Sequence, residues 1–308
     1  MQAHPSNGIR TLFCATDFSE TSARALRHAT VLARRHSARL VLAHVIEPLP
    51  IEPYPIPMAL PVGEAELAKR AEEELVALGD ALEGEGLVIE TRQAVGPPGP
   101  KLVAMIARER ADLVVIGTRG QTGLPHLLLG STAEYVVRRS PAPVLTIHPE
   151  DREPVDSPRR VIVPTDLSAD AEIALEAFLE LLTPQDTPRV DLVFADSTPP
   201  YLDAMTHENL ARSGQPDARR EELVDHLAPM VGRLEAKGLG VELQIRDGGP
   251  VEVITAVAEA VGSDLIVMST HGRSALVNFL LGRTAQRVVQ RAPCPVLTVC
   301  PKRRLEAG

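Results

Sequence analysis

The stretch "ADLVVIGTRG" at residues 111–120 runs from an apolar segment into two glycines, and "SDLIVMSTHG" at residues 263–272 has the same pattern. The apolar run Leu113–Ile116 is short and β-branched, which is typical of a buried strand. The glycines after it indicate a loop in which the backbone needs room. A strand that leads into such a loop, occurring twice in one chain, predicts two related α/β domains.

Other parts of the chain are duplicated in the same order. "RTLFCATDFSETSARAL" at 10–26 resembles "RVIVPTDLSADAEIAL" at 160–175, and "STAEYVVRRSPAPVLTI" at 131–147 resembles "RTAQRVVQRAPCPVLTV" at 283–299. The offset between copies is close to half the chain, which indicates a duplicated domain and excludes a solenoid of short repeats. The sequence predicts a first domain over 1–148, a polar, proline-containing linker over 149–159 and a second domain over 160–308.

Short apolar runs alternate with helical patterns in both halves. Long amphipathic helices are predicted at 64–83 and 219–237, and Ser19 is the expected N-cap of the first helix. The predicted strands are Thr11–Ala15, Leu40–Ile46, Val88–Ala94, Asp112–Ile116 and Val144–Ile147 in the first half, and Val161–Val163, Val190–Ala195, Val241–Ile245, Asp264–Met268 and Val296–Val299 in the second. The order βαβαβαβαβ predicts a doubly wound parallel sheet with helices on both faces in each domain.

Composition excludes several classes of protein. The 308 residues carry a net charge of −9 at pH 7, and such a charge argues against nonspecific binding to nucleic acid or to an anionic membrane. No secretory signal and no apolar window of membrane-spanning length is evident. Three cysteines form no CxxC pair and the histidines show no metal-ligand spacing, so we expect a cytoplasmic protein without a metal site of its own.

Ligands of such sheets bind beyond the carboxyl ends of the strands, where the strand order reverses. In the first half this edge carries Asp17 and the loop from Gly117 to Gly130. Glycine amides, a helix N-terminus and the hydroxyl of Ser131 together form a phosphate cradle. The alternatives are that Ser131 only caps its own helix, that Asp17 caps the helix that follows it instead of receiving ribose hydroxyls, and that Arg119 is simply solvated.

The same loop lacks the residues of an efficient phosphotransferase. It contains no GxxxxGK[ST] sequence and no lysine, so a Walker-type site is excluded. No nucleophile elbow or other catalytic constellation is evident elsewhere. The sequence therefore favours binding over catalysis, with slow ATP hydrolysis as the enzymatic alternative.

The motifs resemble those of the universal stress protein family. The spacing Gly-x2-Gly-x9-Gly-Ser is met by Gly117, Gly120, Gly130 and Ser131, and the "TDFSE", "HV" and "SPAPVL" segments are also similar to the family. The resemblance implies a five-stranded parallel sheet in each domain, packing of the two copies as an internal pseudo-dimer, and a bound ATP, ADP or AMP, with Mg²⁺ accompanying ATP. It places Asp17 near the ribose, Val45 beside the adenine, Gly117 near the ribose and phosphates, and Gly120, Gly130, Ser131 and Thr132 at the phosphate. Arg119 is a candidate phosphate contact because it is a cationic residue of the same loop.

The second copy departs from this motif, because Ser269 replaces the first glycine and Arg283 replaces the hydroxyl residue. Its weaker candidate site comprises Asp166, Ala195, Gly272, Gly282, Arg283 and Thr284. We therefore expect a stress-response or regulatory protein that binds adenine nucleotide mainly in domain 1 and associates with a further copy of itself or with another protein. A scaffold that has lost nucleotide binding is the second alternative.

Overall fold

A computed structural model describes residues 8–47, 64–83, 86–120, 129–197, 218–272 and 281–300. The chain forms two compact units, of which the first extends to Asp156 and the second begins at Ser157. We call these unit 1 and unit 2. Residues 149–156, predicted as linker, thus belong to unit 1.

Unit 1 alternates strands and helices along its described length. Its elements are β1 (Thr11–Ala15), α1 (Glu20–His36), β2 (Arg39–Ile46), α2 (Glu64–Glu83), β3 (Ile89–Val95), α3 (Pro98–Glu109), β4 (Leu113–Gly117), α4 (Ser131–Arg139) and β5 (Val144–Ile147). Within unit 1 the strands lie in the order β3-β2-β1-β4-β5. Their pairing is parallel. The order reverses between β1 and β4, which places a topological switch point there.

Unit 2 repeats this plan. Its elements are β6 (Arg160–Thr165), α5 (Ala169–Leu181), β7 (Arg189–Asp196), α6 (Ala218–Ala236), β8 (Gly240–Asp247), α7 (Pro250–Val261), β9 (Leu265–Ser269), α8 (Arg283–Arg291) and β10 (Val296–Val299). The strands lie in the order β8-β7-β6-β9-β10 and are parallel. The predicted doubly wound α/β class is confirmed for both units.

The central strands are buried on both faces, as the continuous apolar runs predict. All five residues of β1 are buried, and Phe13 and Cys14 are fully inaccessible. Burial raises the pKa of the Cys14 thiol to about 12, because the thiolate would lose its hydration. Cys14 therefore acts as a small apolar core residue. No helix within the described ranges has the length and apolar character needed to cross a membrane.

Helix α1 begins where the sequence predicts. The Ser19 hydroxyl accepts a hydrogen bond from the Ser22 amide at 3.2 Å, and Ser168 does the same for Ala171 at the start of α5, at 3.3 Å. These caps satisfy a backbone donor that has no partner within the helix. They also fix the direction in which the chain leaves β1 and β6, and with it the position of Asp17 and Asp166.

Residues 148–153 run along helix α1. Arg24 donates to the Asp151 carbonyl oxygen at 2.6 Å and to Glu153 at 3.0 Å, and Arg27 donates to Glu153 at 2.8 Å. Asp151 is 3 % exposed and accepts from the His148 amide at 2.6 Å. These contacts explain why the segment after β5 belongs to unit 1, and they place Glu150 close to the loop that follows β4.

Candidate functional site

A cleft of about 570 Å³ opens at the carboxyl ends of β1, β2 and β4 in unit 1. This volume is within the range of small-molecule sites, and the position is the switch point of the sheet. The cleft lining brings together all eight residues predicted for the first site: Asp17, Val45, Gly117, Arg119, Gly120, Gly130, Ser131 and Thr132. Residues that are up to 115 positions apart in the sequence therefore share one concave surface.

A tight turn after β1 presents Asp17 to the cleft. Phe18 adopts a left-handed conformation with φ of 62°, and its amide donates to Thr16 Oγ1 at 3.0 Å. One carboxylate oxygen of Asp17, Oδ1, accepts from the amide of Ser19 at 3.1 Å and from its hydroxyl at 2.6 Å. Asp17 thus orients the N-cap residue and is not itself the cap. Its second oxygen, Oδ2, faces Gly120.

The glycines of the loop have a packing role that the sequence did not reveal. An added Cβ at Gly117 would lie 3.0 Å from Thr21 Cγ2 and 3.3 Å from the Thr21 backbone. At Gly120 it would lie 2.6 Å from Asp17 Oδ2, and at Gly130 it would lie 3.1 Å from the Thr118 carbonyl oxygen. None of the three has a positive φ. Close approach of the chain to itself, and not a left-handed backbone, requires glycine here.

Helix α4 begins at the floor of the loop. Its N-cap is Gly130, with no side-chain cap, so the alternative that Ser131 caps the helix is wrong. The Gly130 amide donates to the Thr118 carbonyl oxygen at 2.8 Å. The amides of Ser131 and Thr132, at the first two helical positions, have no partner within the helix. At the positive end of the helix dipole, these two amides are available donors for an anion.

Arg119 projects from the loop towards residues 148–153. Its guanidinium donates to Glu150 Oε1 at 3.0 Å, and 25 % of its side chain is exposed. The Glu150 side chain is 68 % exposed, so the pair is a weak surface ion pair. Arg119 is the one permanently cationic side chain among the described residues that line the cleft. A phosphate in the cleft would therefore compete with Glu150 for it.

Phe18 and His44, which lie at the carboxyl ends of β1 and β2, were not predicted as site residues from the sequence. His44 Nδ1 donates to the Thr16 carbonyl oxygen at 2.8 Å, and the Phe18 and His44 rings lie 4.5 Å apart between centroids. Both residues line the cleft beside Val45. The aromatic character of position 18 and the "HV" pair were the available signals. The two rings are tilted by 38° relative to each other, and with Val45 they give this part of the cleft an aromatic and apolar surface that a planar ring can contact.

The cleft is otherwise acidic. Asp17, Glu47 and Glu74 all contribute to its lining, against the single cation of Arg119. Within the described part of the chain, no group of three histidine, cysteine or acidic side chains is placed to hold a metal ion. A polyphosphate would therefore enter with some of its charge neutralised, since three carboxylates repel it.

Unit 2 preserves the backbone of this site. Asp166 Oδ1 accepts from the Ser168 amide at 3.1 Å and from its hydroxyl at 2.5 Å. An added Cβ at Gly272 would lie 2.6 Å from Asp166 Oδ2, and the Gly282 amide donates to the Thr270 carbonyl oxygen at 2.8 Å. Helix α8 starts at Arg283 and Thr284 with no side-chain cap, as α4 does.

The side chains of unit 2 differ where a ligand would enter. The Ser269 hydroxyl donates to the His271 carbonyl oxygen, and Thr270 Oγ1 lies 2.9 Å from His271 Nδ1. Thr165 Oγ1 lies 3.5 Å from Met230 Sδ on α6. Ala195, the counterpart of Val45, pairs with Arg246 on β8. The loop of unit 2 thus satisfies several of its own polar groups.

Known proteins match both halves of the chain. The model of the universal stress protein family matches residues 8–148 and again residues 158–299. A universal stress protein of Mycolicibacterium smegmatis is 28 % identical over 299 residues, covering 94 % of this chain and 97 % of the relative. One from Methanocaldococcus jannaschii is 30 % identical over 147 residues, covering 48 % of this chain and 86 % of the relative.

A solved structure shows the same fold. The crystal structure of a universal stress protein from Archaeoglobus fulgidus superposes with a TM-score of 0.68 at 21 % identity, covering 96 % of this chain and 99 % of that one. Because the family model matches most of the chain and does so once in each half, the chain belongs to the universal stress protein family as a tandem member.

Proposed function

We propose that this chain is an adenine-nucleotide-binding regulatory protein that holds ATP, ADP or AMP in the cleft of unit 1. The observation that carries the proposal is the convergence of an acidic side chain (Asp17), an aromatic and apolar surface (Phe18, His44 and Val45) and a helix N-terminus on one cleft at the switch point. A nucleotide needs these three kinds of surface for its sugar, its base and its phosphates.

In this proposal each part of the ligand has a stated partner. Val45, Phe18 and His44 face the adenine, and the carboxylate of Asp17 accepts a hydrogen bond from a ribose hydroxyl. The amides of Ser131 and Thr132 hold phosphate, and Arg119 exchanges Glu150 for a phosphate oxygen. Mg²⁺ bound to ATP offsets part of the charge that Asp17, Glu47 and Glu74 would otherwise repel.

Binding without rapid turnover is favoured over hydrolysis. Phosphoryl transfer needs cations at the leaving and transferring groups, and the described lining contributes Arg119 alone. The segments 48–63 and 121–128, which follow Glu47 and Gly120 in the sequence, contain no lysine or arginine. The output of binding is then a change in conformation or in partner affinity. The association of two chains stays a prediction of the family resemblance.

The test is to denature the purified full-length protein and to identify released small molecules by mass spectrometry. We expect an adenine nucleotide, and we expect added ATP or AMP to raise the melting temperature of nucleotide-free protein. Release of nothing, combined with no thermal shift for any adenine nucleotide, would favour the scaffold alternative. Phosphate release from ATP well above that of Gly130→Glu would favour the hydrolase.

A further inference from the structure

The hydroxyl of Thr118 is the most unusual polar group of the cleft. Thr118 follows Gly117 directly and is 2 % exposed, and it belongs to the cleft lining. Its Oγ1 has no hydrogen-bond partner among the described residues. A buried hydroxyl without a partner has lost its bonds to water without replacing them, so such groups are rare in native proteins. This loss needs an explanation.

Unit 2 offers an internal comparison at the equivalent position. The Thr118 amide donates to the Ile147 carbonyl oxygen, and the Thr270 amide donates to that of Val299, each at 2.8 Å. The carbonyl oxygens of the two threonines accept from Gly130 and Gly282, again at 2.8 Å each. The two threonines therefore occupy the same backbone environment, and any difference between their hydroxyls comes from neighbouring side chains.

The hydroxyls differ because the next residue differs. Thr270 Oγ1 lies 2.9 Å from Nδ1 of His271, which is 8 % exposed. In unit 1 that position is Arg119, whose guanidinium extends to Glu150. Unit 2 thus supplies a partner for the hydroxyl from its own chain, whereas unit 1 leaves the hydroxyl of Thr118 to something outside the described chain.

We propose that the Thr118 hydroxyl is a ligand contact, donating a hydrogen bond to a phosphate oxygen of the nucleotide held in unit 1. The inference rests on the proposed function, which supplies the nucleotide. Phosphate is the part of the ligand concerned, because the carbonyl oxygen of Thr118 holds the Gly130 amide at 2.8 Å, directly before the amides of Ser131 and Thr132. The hydroxyl would then add a third donor to that phosphate site.

The test compares Thr118→Val with its matched control Thr270→Val in the full-length protein. Valine has the shape of threonine without the hydroxyl. In the nucleotide-free state Thr118→Val should melt at or above the wild-type temperature, because it removes a hydroxyl that has no partner. Thr270→Val should melt at a lower temperature than the wild type, because it removes a hydroxyl that has a hydrogen-bond partner.

Affinity for ATP and AMP is measured on the same proteins by isothermal titration calorimetry. Thr118→Val should weaken both by about tenfold, as expected for a hydrogen bond to a charged group, while Thr270→Val should bind as the wild type does. Thr118→Ser, which keeps the hydroxyl, should retain most of the affinity. Adenosine, which has no phosphate, should bind wild type and Thr118→Val alike.

Two results would overturn this inference but leave the proposed function intact. The first is that the wild type binds nucleotide and Thr118→Val binds it with the same affinity. The second is that, without nucleotide, Thr118→Val loses as much stability as Thr270→Val. The second result would mean that the chain itself already supplies the partner. A wild-type protein that binds no adenine nucleotide would overturn the proposed function and this inference with it.

Discussion

Replacing Gly120 by alanine tests the geometry of the cleft directly. The added Cβ would lie 2.6 Å from Asp17 Oδ2, well inside van der Waals contact. Gly120 does not have a positive φ, so alanine is compatible with its backbone and the carboxylate has to move. Asp17 Oδ1 accepts bonds of 3.1 and 2.6 Å from Ser19. Bonds to a charged acceptor contribute about 1.5–3 kcal/mol each, so their partial loss should cost about 1–2 kcal/mol.

The second unit provides a control with the same steric change. Gly272→Ala would place a Cβ 2.6 Å from Asp166 Oδ2, and Asp166 holds Ser168 by bonds of 3.1 and 2.5 Å. Both variants should therefore lose similar stability, a fall in melting temperature of roughly 2–8 °C for domains of this size. Calorimetric unfolding of the nucleotide-free proteins measures this loss.

Nucleotide affinity should separate the two variants. Gly120→Ala displaces the carboxylate assigned to the ribose, so it should bind ATP and AMP at least tenfold more weakly by titration calorimetry, whereas Gly272→Ala should bind as the wild type does. Wild-type affinity in Gly120→Ala would refute the assignment of Asp17. An equal loss of affinity in both variants would refute the assignment of the site to unit 1.

Two further predictions concern charged groups. Glu150→Gln removes the carboxylate that competes with phosphate for Arg119. Because exposed ion pairs contribute about 0.2–1 kcal/mol, the variant should bind ATP up to about fivefold more tightly than the wild type at low salt, with the affinity for adenosine unchanged. Equal ATP affinities of variant and wild type in titration calorimetry would contradict the competition. Burial lowers the pKa of His28 below 6.5, so below about pH 6.5 the imidazole is protonated in the unfolded chain but not in the folded one, and the free energy of unfolding falls as the pH falls. Urea unfolding between about pH 5 and 7.5 should therefore show a weaker dependence of stability on pH in His28→Gln than in the wild type. The same dependence in both proteins would mean that His28 is not its source.

The fold could be predicted closely because local pattern and topology agree. The runs that form β1, β5 and β10 are largely apolar, and β5 and β10 directly follow a proline. The predicted limits of all three match those observed. The other strands differ from prediction by one or two residues at one or both ends. In β6 and β8, polar residues such as Thr165 and Asp247 continue the strand pairing beyond the apolar run. Backbone hydrogen bonds, which do not depend on hydrophobicity, decide where such strands end.

The cleft was predictable as a location but not in its interactions. The rule that ligands bind at a switch point requires only the order of elements, and it selected Asp17 and the loop from Gly117 to Gly130. Val45 and Thr132 were selected by the family resemblance. The contact of Gly117 with Thr21 and the pairing of Arg119 with Glu150 depend on how α1 and residues 148–153 pack. The partnerless hydroxyl of Thr118 depends on the direction of the next side chain, which no local pattern encodes.

The two units together indicate how such a site diverges. The close contacts at Gly120 and Gly272, and the amide bonds of Gly130 and Gly282, are the same within 0.1 Å. The glycines therefore maintain the loop whether or not a ligand binds, and a glycine motif by itself is weak evidence of occupancy. The two units differ in how far the hydrogen bonds of their polar groups are satisfied within the chain. In unit 2, His271 is the partner of the Thr270 hydroxyl, and the additional hydroxyl of Ser269 donates to a carbonyl oxygen of the same loop. A loop that satisfies its own donors gains less from an anion, because each bond to the ligand replaces one already made. His271→Ala would therefore leave the Thr270 hydroxyl without a partner, as the Thr118 hydroxyl is. It would not remove the Ser269 side chain, which stands where unit 1 has Gly117.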